Sequence, residues 1–188
     1  LWGKVLAGEF ASPGEFSYKF LDWMSNITPK DAELISKLME NVFNNFYYRG
    51  ERRDKKMPLT YAELLELQEL NVIQGVESLG MEITYTTKRT EMFERLLLSA
   101  NMKKLILIKH TDSSKKLKIS GICSLTRIGR EVMKLCDVGV NQDMIQILGE
   151  YIVKQGFEVY YTDAFPMEKG LIHYSQNMTK IEINENIK

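Results

Sequence analysis

The chain has 188 residues, 44% of them hydrophobic, enough for one sizeable core or two small ones. Its 25 Lys and Arg balance 25 Asp and Glu, so no global charge demands a nucleic acid or an acidic membrane as partner. No apolar run approaches a transmembrane span, and the opening lacks the basic region, long apolar stretch and cleavage site of a signal peptide.

Trp2, Val5 and Leu6 recur at helical spacing, with Leu1 and Ala7 alongside. Gly8 weakens that helix and Pro13-Gly14 makes a turn. Phe16, Phe20, Leu21 and Met24 restart an apolar stripe, with Trp23 near its edge, so the opening reads as a helical hairpin. Thr28-Pro29-Lys30-Asp31 is a helix start: Thr caps, Pro suits the first helical position and Asp favours the positive end. The predicted helix carries Ala32, Ile35, Leu38, Met39, Val42, Phe43 and Phe46 on one face. A charged loop, 49–58, ends at Pro58.

Thr60 and Glu63 form a capping box for the next helix, whose apolar side is Leu64, Leu65, Leu67 and Leu70. Ile83 to Lys88 alternates like a strand, and Thr90 is expected to cap a helix through Leu96, Leu97 and Leu98. Strands are predicted at Lys104 to Lys109 and Leu117 to Cys123, joined as a hairpin by the polar turn Thr111-Asp112-Ser113-Ser114. Thr126 opens a helix with Ile128, Val132, Met133, Leu135 and Cys136. Asn141 opens another that Gly156 stops. The tail alternates at Phe157 to Tyr161, Ile172 to Tyr174 and Lys180 to Ile183.

The opening run, with Trp2, Val5, Leu6, Ala7, Gly8, Glu9, Pro13, Gly14, Phe16 and Ser17, resembles the signature of an uncharacterised bacterial family, domain of unknown function 2806. The resemblance continues through Asp31-Ala32-Glu33-Leu34, Leu67-Gln68-Glu69-Leu70 and Leu125-Thr126-x-x-Gly129. It departs at Tyr18-Lys19-Phe20 and in a long insertion before Leu125. Leu1, Trp2, Val5 and Leu6, followed by Asp31-Ala32-x-Leu34, are also similar to abortive-infection alpha-type phage-defence proteins. The order helix, charged loop, capped helix, hairpin and "SLTRIGREVMKL" resembles a winged-helix domain. That resemblance implies a helix-turn-helix-like core in which Thr126 caps the closing helix and Gly129 permits a close backbone approach.

A DNA-reading helix needs Arg, Lys, Asn or Gln toward phosphates and bases. The candidate helix offers Glu63, Glu66 and Glu69 and reads as an interaction or packing surface. Positive charge lies in Arg52 and Arg53 of the loop, in Lys115, Lys116 and Lys118 of the hairpin, and in Arg127 and Arg130 after it. Converging, these would contact a nucleic-acid backbone; as a solvated hairpin they only blunt strand edges.

His110 and His173 sit in no metal-binding pattern, Cys123 has no flanking nucleophile signature, and there is no Gly-rich phosphate loop. Neither catalytic nor metal-ligating residues are assigned, and no cofactor is expected. Cys123 and Cys136, without a C-x-x-C pair, fit a reduced cytoplasmic setting. The first residue is not Met and already belongs to a motif, so the chain reads as a fragment of a larger protein. The expected fold is α+β, a helical N-terminal half followed by a winged-helix-like half with a β-hairpin. Its regions are 1–58 (helical), 59–140 (winged-helix-like) and 141–188, a C-terminal helix and short strands packing on the same core. The expected role is a non-catalytic regulatory or protein-interaction module, with a protein partner or self-association and no membrane. The alternative is nucleic-acid backbone binding, in phage defence if the second resemblance holds.

Overall fold

Capping residues set the helix starts. A computed structural model describes residues 3, 14, 16–50, 57–77, 81–167 and 172–183. Helix α1 (Tyr18–Ser25) begins where the Ser17 hydroxyl accepts from the Phe20 N–H at 3.2 Å. Helices α2 (Pro29–Met39) and α3 (Tyr61–Glu69) each open with a complete capping box, Thr28 with Asp31 and Thr60 with Glu63. Thr126 caps α4 (Arg127–Leu135) by accepting from the Gly129 N–H, and Asn141 caps α5 (Gln142–Val153) by accepting from Asp143. Gly156, at φ 82°, supplies the left-handed residue just past α5.

The strands form two antiparallel sheets. The first runs β1 (Val42–Phe43), β2 (Phe46–Tyr48), β7 (Leu117–Leu125) and β3 (Ile73–Gln74), with β4 (Met81–Tyr85) also on β7. The second runs β10 (Thr179–Lys180), β8 (Glu158–Pro166), β6 (Lys104–His110) and β5 (Phe93–Leu98), with β9 (Ile172–Tyr174) on β8. The described residues are therefore mixed α/β, five helices and two antiparallel sheets. Three helices precede residue 70, and sheet dominates the remainder.

Three expectations are corrected. The second helix stops at Met39 rather than running through Phe46. Val42, Phe43 and Phe46 lie instead in a β-hairpin whose two-residue turn puts Asn44 at φ 51°. These apolar residues fit either period, and the asparagines at the turn decide for strand. The segment after Thr90 is strand β5, not a helix, because it pairs residue for residue with β6. The expected hairpin of residues 104–109 with 117–123 does not form: β6 pairs with β5 and β8, while β7 pairs with β2, β3 and β4. The polar turn at 111–114 carries the chain from one sheet to the other.

One apolar core joins both sheets, with Phe43, Phe46 and Ile122 from the first and Phe93, Leu97, Ile106 and Ile108 from the second. The sheets are also linked by backbone. Phe43 bridges Ser99, the Asn44 N–H donates to the Leu98 carbonyl, and the Leu98 N–H donates to Asn44 Oδ1 at 2.9 Å.

Candidate functional site

The end of the resemblance to domain of unknown function 2806 is built into the closing helix. Gly14 takes φ 86°, a turn conformation open to glycine. Phe16 is buried and stacks on Phe20 with ring centroids 5.3 Å apart. Beyond capping α1, Ser17 reaches α4: its hydroxyl donates to Glu131, 3.1 Å from either oxygen, and its N–H donates to Oε2 at 3.3 Å. Glu131 is buried, and Arg127 Nε donates to its Oε1 at 3.1 Å. Trp2, Leu6, Gly8, Glu9 and Pro13 of the same signature lie outside the described residues.

Beside this clasp is a cleft of about 350 Å³, lined by Ser17, Lys19, Asn71, Thr126, Arg127 and Arg130 among others. Thr126 forms one wall; its hydroxyl donates to the Asn71 carbonyl while accepting from Gly129. Arg130 Nη1 donates to the Leu125 carbonyl at 2.9 Å, which holds the guanidinium at the rim. The sequence pointed to Thr126, Arg127 and Arg130 but not to Lys19 and Asn71 as their neighbours. The L-T-x-x-G-R-E run shows the α4 half of the site, but no local pattern shows that α1 packs beside it.

The basic residues divide between two places. Arg127 and Arg130 follow the C-terminal end of β7, whereas Lys115, Lys116 and Lys118 cluster at its start. At about 3.3 Å per residue the two groups stand roughly 25 Å apart. Lys115 Nζ donates to the Gly156 carbonyl at 3.3 Å and lies 4.7 Å over the Phe157 ring. Lys118 pairs with Glu82 at 3.5 Å, and Lys116 is exposed. Arg52 and Arg53 lie outside the described residues.

The acidic helix α3 faces lysines of α2. Lys37 Nζ meets Glu63 at 2.6 Å and Lys30 Nζ meets Glu66 at 3.2 Å. Burial raises the Glu63 carboxyl, but the Lys37 hydrogen bond, the Thr60 bonds and the Lys37 charge outweigh it and hold the group below its ordinary value.

The nucleophile-bearing groups stand apart. Cys123 is buried in β7 opposite Tyr47, and burial pushes its thiol up to about 11, against a smaller opposing pull from Arg49. Such a thiol is protonated at neutral pH and a weak nucleophile. His110 Nδ1 accepts from the Asp112 N–H at 3.0 Å at the end of β6, near Glu158 of β8; His173 pairs with Phe165 near the other end of β8. Among the described residues no three His, Cys, Asp or Glu side chains gather as a metal site. No helix among them is long and apolar enough to cross a membrane.

Residues 1–47 match the family model described as "Protein of unknown function (DUF2806)". The resemblance carried by the opening motif is thus shown over the segment that holds α1, α2 and β1. The chain is also similar to the bifunctional protein TilS/HprT of Listeria innocua, 25% identical over 115 residues, 58% of this chain and 17% of the relative. The protein of that name from Listeria monocytogenes is 24% identical over 115 residues, with the same shares. The chain spans about a sixth of the length of these curated relatives. No solved structure matches it.

Proposed function

We propose that this chain is a non-catalytic regulatory or protein-interaction module of a larger bacterial protein, working in the cytoplasm. The observation that carries this reading is the use of the α3 carboxylates. Glu63 and Glu66 are taken up by Lys37 and Lys30, so α3 is engaged in packing on α2. The helix, YAELLELQE, carries no Lys or Arg to offer to a phosphate backbone. The protonated, buried Cys123 thiol and the separated histidines support the non-catalytic part.

The second reading, nucleic-acid backbone binding, is favoured by one arrangement. Strands β2, β7 and β4 lie side by side, with α2 leading into the β1–β2 hairpin and α3 between β2 and β4 in sequence, although β5 and β6 of the other sheet separate β4 from β7 along the chain. Lys115, Lys116 and Lys118 then stand at one end of the β4–β7 pair, with Arg127 and Arg130 past the other. A role in phage defence rests on the second family resemblance alone. The TilS/HprT similarity is compatible with either reading.

Fluorescence anisotropy with a labelled DNA duplex, at low and at physiological salt, separates the two. The interaction-module reading expects no binding at low salt. Tight binding that falls steeply with salt, and that is lost in the Lys115→Gln/Lys116→Gln/Lys118→Gln variant, overturns it in favour of the backbone reading.

A further inference from the structure

We infer that the cleft between α1 and the start of α4 receives a short acidic segment of a partner protein, an Asp or Glu side chain entering among Lys19, Arg127 and Arg130. The inference rests on the interaction-module reading and names the partner's chemistry.

Among the described residues the cleft holds more positive than negative charge. Glu131, the carboxylate bonded to the cleft's Ser17 and Arg127, is already engaged by the Ser17 N–H, the Ser17 hydroxyl and Arg127 Nε. Among the described residues neither Lys19 nor Arg130 forms an ion pair, whereas Lys30, Lys37, Lys103, Lys104 and Lys118 each do. Both guanidinium groups keep donors beyond those already used: Arg127 commits Nε to Glu131 and Arg130 commits Nη1 to Leu125. A planar fork with free N–H groups matches a carboxylate in two-point geometry. Those two bonds also restrain the guanidinium groups before any ligand arrives, which lowers the ordering cost of binding. The positive end of α4 adds to the same field without being its source.

Size and surroundings favour a short acid over a nucleic-acid strand. A cleft of about 350 Å³ accommodates one or two side chains. A phosphate backbone needs cations along its track, and the next group, Lys115 to Lys118, lies roughly 25 Å away along β7. Among the described lining residues none is aromatic, so they offer no face on which bases stack.

The test uses the full chain with a short fluorescein-labelled poly-glutamate peptide, a poly-glutamine peptide as the uncharged control and a labelled DNA duplex. Binding is read by anisotropy at low and at physiological salt. The variants are Lys19→Gln/Arg130→Gln in the cleft and Lys154→Gln/Lys180→Gln on exposed sites elsewhere, each checked for an unchanged thermal melt. Lys19→Glu alone, on the exposed face of α1, serves if the double variant does not fold. The expected result is poly-glutamate binding that weakens with salt and falls about tenfold in the cleft variants, with the distant pair unchanged. Equal binding by cleft and distant variants, or no binding at low salt, overturns the inference while the interaction-module reading stands on its own duplex test. Tighter binding of the duplex, lost with Lys19 and Arg130, overturns both and assigns the cleft to a nucleic-acid phosphate.

Discussion

Gly129 shows what one residue decides. A Cβ there would lie 2.2 Å from the Val72 carbonyl oxygen, which is backbone and cannot swing aside. The same carbonyl accepts from the Thr126 N–H at 3.0 Å, so the start of α4 is held against the end of the α3–β3 turn with room only for hydrogen. Gly149 offers the contrast: its Cβ would lie 2.3 Å from Ile181 Cδ1, the end of a side chain that can rotate. Gly129→Ala is therefore expected to destabilise by about 3 kcal/mol and Gly149→Ala by about 1 kcal/mol. Urea denaturation with unchanged slope would check the ranking; equal midpoints would refute it. The close approach at Gly129 was expected only from the resemblance of Leu125-Thr126-x-x-Gly129 to the closing helix of winged-helix domains. The clasp of Ser17 on Glu131 was not, since a hydrogen bond across 114 positions leaves no spacing to read.

At the scale of elements, the helix starts are the legible part. Thr28 with Asp31 and Thr60 with Glu63 satisfy free N–H groups within four residues of chain, so each is decided by local sequence. Thr28→Ala and Thr60→Ala are each expected to cost about 1 kcal/mol. The acid limb of the stability profile carries the same signature. The Thr28 side-chain hydrogen bond, then its backbone N–H, holds the Asp31 carboxyl below its ordinary 3.8, and Glu63 lies below its ordinary 4.5. Both folded values are depressed, so their contribution is complete above the ordinary values and is lost as pH falls through the folded ones. Thermal melts across that range should show Tm falling with acid. The fall should be shallower in an Asp31→Asn/Glu63→Gln variant, and parallel curves would refute the assignment. Helix ends and strands were less legible. In Val42 to Phe46 and Phe93 to Leu98 the apolar residues are too few to tell one period from the other, and pairing with β2 and β6 decided them.

The whole molecule depends on a chain path that crosses between sheets. β6 and β7 are neighbours in sequence and belong to different sheets, and the core that fills the space between takes side chains from both. Trp23 ties α1 to the end of α3 by donating from Nε1 to the Leu70 carbonyl at 2.7 Å, and Asn44 ties β1 to β5. With the larger of two apolar clusters shared by both sheets and such cross-links, unfolding is expected to be a single transition. Tryptophan fluorescence and far-UV ellipticity should give the same urea midpoint. An earlier fluorescence change would mean that the N-terminal helices leave a sheet core that stands without them.

The sequence by itself determined the caps at Thr28, Thr60, Thr126 and Asn141, though not the one expected at Thr90, together with the positions of most strands and the likeness to the family of unknown function. Each of these depends on residues within a few positions of one another, where backbone geometry links spacing directly to structure. Only the tertiary structure decided which strands pair, that the basic residues split across the ends of β7, and that α3's glutamates face α2's lysines. It alone placed Lys19 beside Arg127 and Arg130 in one cleft. Those outcomes turn on side chains brought together from distant parts of the chain by burial of a shared apolar core, a force that has no direction along the sequence.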